Sequence, residues 1–315
     1  MKEIVKSTRA WFERRNQAWL EADDLADLHT ESGIQPAVQE MLRRRAMHER
    51  RGARERKIIS DVDVEVLPLS PEDEGFARVR VYEHTRFLYE IRDHVEHEQR
   101  EMVHELLWRR GRKPVLQMHD HIREISDDHL YTTDADARSF VLTQQEADAH
   151  YRGAYNRTLA YRYAEQWWNS HNPQYQYMGV DCTNFVSQVM HAGGLPMVGG
   201  GRRDAGWWYR SGQAPTWSYS WAVAHSLATF LSSPQNPFRA RVVQSPQELT
   251  IGDVIAYDWT HSGRYGHNTV VVGHDANGMP LVNAHTVDSH QRFYSYEDSY
   301  AYTPNTQYLF IHFLD

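Results

Sequence analysis

Asp181-Cys182-Thr183-Asn184-Phe185-Val186-Ser187-Gln188 holds the one cysteine of a 315-residue chain and follows a glycine-containing approach, Met178-Gly179-Val180. Beyond it, Phe185, Val186, Val189 and Met190 recur at helical spacing, and Gly193-Gly194 supplies a stop. The pattern predicts a helix with Cys182 in its first turn. A helix start presents unpaired N–H groups and a partial positive charge, which favour thiolate over thiol and can receive an oxyanion. A free cysteine is also a common small core residue, so this thiol needs a histidine before it counts as a nucleophile.

Tyr265-Gly266-His267-Asn268-Thr269-Val270-Val271-Val272-Gly273 supplies one, with His267 opening a β-branched run of buried-strand type. A strand signal, Ile251-Gly252-Asp253-Val254-Ile255-Ala256-Tyr257, precedes it across a polar loop. After a turn at Asn277-Gly278-Met279-Pro280 comes Leu281-Val282-Asn283-Ala284-His285-Thr286, where Asn283 and His285 share a face by period-two alternation. Either side chain could accept the imidazole N–H and fix its tautomer. A helix cysteine, a sheet histidine and a polar orienter together form a thiol hydrolase arrangement of papain-like type.

The octapeptide, together with Ala192-Gly193-Gly194, Ser220-Trp221, Gly252-Asp253-Val254-Ile255 and Gly266-His267-Asn268-Thr269-Val270-Val271-Val272, resembles the bacterial putative amidase domain family. That family is similar to the CHAP amidases and to the NlpC-like cell-wall endopeptidases, and the resemblance spans roughly residues 150 to 315. It implies an α+β papain-like domain with Cys182 as nucleophile and His267 as general base. Asn283, with His285 as the alternative, is implied as orienter. Asp181 precedes the nucleophile as in the relatives, and it reads equally as a plain helix cap. The implied partner is a peptide or peptidoglycan-like amide, with no cofactor and no metal, and the resemblance implies a cell-wall or spore-associated setting.

A length of 315 residues suggests two domains, and a hydrophobic content of 41% can fill sizeable cores. The net charge of -8 argues against nucleic acid. No apolar run after Met1 is long enough for a signal peptide or a membrane span, so the expected location is the cytoplasm and no membrane partner is expected. Residues 1 to about 57 read as helices, with Trp11, Phe12, Trp19 and Leu20 at helical spacing. The basic residues Arg43-Arg44-Arg45 and Arg50-Arg51 alternate with glutamates and read as a solvated face. From Ile58 the pattern alternates, with strands expected to Val66, from Phe76 to Tyr89, from Glu101 to Arg109 and from Val115 to Ile125. The expected organisation is an N-terminal α+β module of unknown role over 1–125, broadly a cone of cystatin or NTF-two type, then a linker over 126–149 and the catalytic domain over 150–315.

Trp207, Trp208 and Trp217, with Tyr177 and Asp181, are the expected substrate-binding residues, because indoles in loops near a cleft can stack on sugars or clamp peptides. Trp221 and Trp259 lie in the same region, and the competing reading for all five indoles is core packing. A zinc site built from His261, His267, His274, His285 and His290 is a further reading, although no paired-ligand motif supports it. Three functions are therefore weighed: a cysteine amidase or peptidase, a papain-like module that binds peptide or glycan without turnover, and a zinc hydrolase.

Overall fold

The structure is a computed structural model and describes residues 2–21, 36–68, 75–121, 154–214 and 216–314. The linker expected over 126–149 lies outside the described residues. The chain divides into two compact units, one of Met1–Arg123 with Ser295–Tyr302 and the other of Glu124–Tyr294 with Thr303–Asp315. The expected catalytic domain is therefore interrupted in sequence, since Ser295–Tyr302 belongs to the first unit.

That first unit carries helices α1 (Lys2–Leu20) and α2 (Pro36–Arg51) and strands β1 (Ala53–Val66), β2 (Phe76–Ile91), β3 (His94–Arg109) and β4 (Val115–His121). The strands form an antiparallel meander in chain order. Trp11, Phe12 and Trp19 of α1 pack with Val79, Val81, Phe87, Leu106 and Trp108. Helix α2 ends at Gly52, whose φ of 67 stops the helix, and β1 starts at once; residues 53–57 are strand and not helix as expected. Strand β3 also starts earlier than expected, because Arg92 and Asp93 both take left-handed φ and close a two-residue hairpin.

The solvated basic face expected on α2 is corrected in part. Arg44 is buried and pairs with Glu55, Glu98 and Asp298, while Arg100 pairs with Glu40, Glu98 and Asp298. Burial pushes Glu55 up, against the pull of Arg44.

The second unit begins with α3 (Arg157–Trp167), capped by the Asn156 side chain accepting from Leu159 N at 3.0 Å. Helix α4 (Cys182–Ala192) follows, then the short pair β5 (Tyr209–Arg210) and β6 (Thr216–Trp217). Helices α5 (Tyr219–Ala222) and α6 (Ala224–Ser232) follow, separated by Val223, which adopts extended angles. Strands β7 (Ala240–Val243), β8 (Val254–Asp258), β9 (His267–His274), β10 (Pro280–Ala284), β11 (Asp288–Phe293) and β12 (Gln307–Phe313) pair antiparallel in the order β11-β10-β9-β8-β12-β7. The mixed α+β class expected from sequence holds.

Phe185, Val186, Val189 and Met190 of α4 are fully buried against Ala160 and Ala164 of α3 and against Val254, Val270 and Val272 of the sheet. Each such side chain contributes up to about 1.5–3 kcal/mol, so this one face anchors α4 firmly. Tyr155 locks the sheet to the same layer, donating its hydroxyl to Gly252 O at 3.0 Å. A Cβ on Gly193 would lie 2.2 Å from the Tyr155 ring, and Gly252 sits at φ 90 on the ring's other edge. Two of the glycine motifs thus serve one tyrosine.

Candidate functional site

Cys182 opens α4 with a relative exposure of 1%, and its Sγ lies 3.7 Å from Thr183 Oγ1. His267 opens β9 and is exposed by 2%. The residues next to these two are bonded directly, because Asn268 Nδ2 donates to Thr183 Oγ1 at 3.1 Å. Helix α4 therefore begins where β9 begins. Asn268, Val270 and Val272 face the helices, and the His267 ring stacks on Trp259 at 5.9 Å with Tyr257 at 5.5 Å.

Asp181 occupies the cap position of α4 but makes no side-chain cap hydrogen bond, so the plain-cap reading does not hold. Its Oδ1 accepts from Met178 N at 3.2 Å and Asn184 Nδ2 at 2.8 Å, while Oδ2 accepts from His285 Nδ1 at 2.9 Å. The first-turn amides are left clear of its carboxylate. At 3% exposure and fully engaged, Asp181 is not the substrate ligand expected from its position.

Neither expected orienter bonds His267. Asn283 pairs in register with Val270, three residues from His267, which is about 10 Å along a strand. Its amide donates to Ala164 O and Glu165 Oε1 at 3.3 and 3.0 Å, and its Oδ1 accepts from Gln291 N at 2.8 Å. His285 Nε2 lies 2.7 Å from Trp167 O and its Nδ1 faces Asp181. Both side chains miss His267 for one reason: period-two alternation places a residue on a face, while the partner is chosen by the helices that cover that face.

Both nitrogens of His285 meet acceptors, and only the imidazolium has two N–H donors. Burial works against that charge, but the Asp181 hydrogen bond, the negative charges of Asp288 and Asp181 and the Trp167 carbonyl outweigh it and hold the pKa above the usual histidine value. Burial likewise opposes ionisation of Asp181, yet His171, His285 and Asn184 together hold it below the usual carboxylate value. His171 Nδ1 stands 3.6 Å from Asp181 Oδ2.

His171, Asp181 and His285 present ligand atoms within 4.8 Å of one another, which raises the metal question anew. Zinc holds nitrogen and oxygen at about 2.0–2.2 Å in tetrahedral array, which separates them by roughly 3.3 Å. The 2.9 Å between His285 and Asp181 is the spacing of a charge-assisted hydrogen bond, and the donor set fits a proton better than zinc. Of the zinc set expected from sequence, His274 bonds Leu249 O at 2.9 Å and His290 bonds Glu165 at 3.0 Å. These two are committed to separate structural bonds.

The aromatic wall is corrected too. Trp207 is wholly buried and donates to Ser187 Oγ at 3.0 Å, while Trp208 is buried and donates to Ala205 O at 2.9 Å. Trp221 is core as well, its Nε1 donating to Asn184 Oδ1 at 2.8 Å. Trp217 is half-buried beneath the Arg203 guanidinium, and Tyr177 is 56% exposed with its ring 4.1 Å from His171. Asn184, inside the octapeptide, is the hub that joins Asp181, Trp221 and Gln176 O, a role that its place in the sequence does not signal.

A family model described as a putative amidase domain matches residues 154–311. The uncharacterized protein YhbB of Bacillus subtilis (strain 168) is 49% identical over 173 residues, which is 55% of this chain and 55% of that protein. The chain thus spans little more than half the length of that relative. No solved structure matches.

Proposed function

Because the chain belongs to the putative amidase domain family, we propose that it hydrolyses an amide bond through Cys182. His267 takes the thiol proton, and the thiolate adds to the amide carbonyl as the first-turn amides of α4 receive the oxyanion. The C–N bond breaks as His267 returns the proton to the departing amine, leaving a thioester on Cys182. Water, giving its proton to His267, then adds to the thioester; the C–S bond breaks, freeing the acid and restoring the thiol. The substrate proposed is a peptide amide of the cell-wall kind, with exposed Tyr177 and half-buried Trp217 as the aromatic contacts.

The observation that supports this reading most is the uncapped start of α4 beside Cys182, tied by the Thr183–Asn268 bond to the start of β9. The expected result is rapid alkylation of Cys182 by iodoacetamide near neutral pH, and a Cys182→Ala protein whose amidase activity falls to background. His267→Ala should slow both. A thiol that reacts no faster than a free cysteine removes the proposal. The depth of Cys182 and His267 favours the second reading, a fold that binds peptide without turnover. In that case Cys182→Ala binds as the parent does and the parent turns nothing over.

A further inference from the structure

We infer that Asp181 and His285 form a buried carboxylate–imidazolium pair that positions the first turn of α4 and balances the charge beside Cys182, without touching substrate. Its bearing on catalysis rests on the role of Cys182 proposed above; its existence does not. Four observations converge. The two side chains, 104 residues apart in sequence, meet at 2.9 Å with exposures of 3% and 2%. The His285 ring is gripped from both ends, by Asp181 and Trp167 O, and stacks on Phe185 of α4 at 4.1 Å and 18°. Asp181 returns the grip through Met178 N and Asn184. Thr286, next to His285, holds φ 86 while its hydroxyl accepts Asp181 N–H at 3.3 Å. A β-branched residue in that region costs about 1–3 kcal/mol, which the surrounding bonds must offset.

The electrostatic consequence has a sign. A bare carboxylate adjoining Cys182 would oppose thiolate formation, and His285 cancels it. Among the described residues, His171, Asp288, Tyr163 and Tyr177 are further charged or titratable groups that interact with this pair. As positioning residues, Asp181 and His285 should shift the reactivity of Cys182 in opposite directions when one of them is neutralised.

The test uses the full chain and its one cysteine, so every alkylation event reports Cys182. The rate of iodoacetamide reaction is followed against pH. With Asp181→Asn the midpoint should fall, and with His285→Gln it should rise, each by about half a unit or more. The double variant should return near the parent. Shifts in the same direction, no shifts, or a double variant that does not return would overturn the pair. A change in His285→Gln alone would likewise overturn the pair. In parallel, the ring nitrogens of His285 are read by ¹⁵N NMR on the unmodified parent. Both should be protonated at pH 6.5, where an ordinary imidazole is about half protonated, and a single-N–H tautomer there would overturn the pair whatever Cys182 does.

Discussion

Tyr155 shows how much one side chain can ask of its neighbours. Its ring leaves no room for a Cβ at Gly193, and Gly252, beside it, needs a left-handed backbone as well. Gly193→Ala should therefore cost about 1–3 kcal/mol through overpacking, read as a lower urea midpoint at unchanged slope. Gly179→Ala, where nothing stands within 4 Å, should change little. At this scale the sequence made the site's nouns readable and hid its grammar. Cys182 and His267 stand where their motifs say, at the heads of a helix and a strand. Asp181 read as a substrate contact because adjacency was visible and a partner 104 positions away was not. Trp207 and Trp208 read as a cleft wall because an indole in a loop looks exposed until its N–H is seen to be spent on Ser187 and Ala205.

Helix α4 owes its place to its apolar face, but its N-terminal turn depends on the charges around it. His285 has a folded pKa raised above its ordinary 6.5, so its contribution is fully present below that value and is lost as pH rises through the raised pKa. Asp181 has a folded pKa lowered below its ordinary 3.8, so its contribution is present above that value and is lost as pH falls through the lowered pKa. Amide exchange over residues 178–185, corrected for intrinsic rate, should thus be slowest from about pH 4 to 6.5 and quicken on either side. A profile flat beyond both ends would contradict this. Elements were most legible where periodicity was long, as in α1 and in β2, whose burial alternates along nearly its whole length. They were least legible at the joints. The Arg92-Asp93 hairpin carries none of the usual Asn-Gly signature, and the break at Val223 involves a residue that continues many helices.

At the scale of the molecule, the buried charges of the first unit set its stability. Arg44 and Arg100 share Glu98 and Asp298, all four nearly without exposure. Asp298→Asn leaves the two guanidiniums short of a carboxylate and should destabilise by about 3–5 kcal/mol. The neighbouring Glu297 pairs with the exposed Arg50, and Glu297→Gln should cost less than about 1 kcal/mol. Denaturation of the two variants side by side checks the contrast, and equal effects would remove the argument. Two bodies were legible in the sequence from the change of pattern, but the assignment of Ser295–Tyr302 was not, since eight residues carry no period of their own. That assignment also orders events during synthesis. Arg44 and Arg100 leave the ribosome 254 and 198 residues ahead of Asp298, so the unit that emerges first stays incomplete until most of the second has followed. A nascent chain stopped short of residue 298 holds an unfinished ion cluster, and a fragment cut to start after the meander carries Asp298 away from its partners: neither half of this protein can be released whole by a single cut.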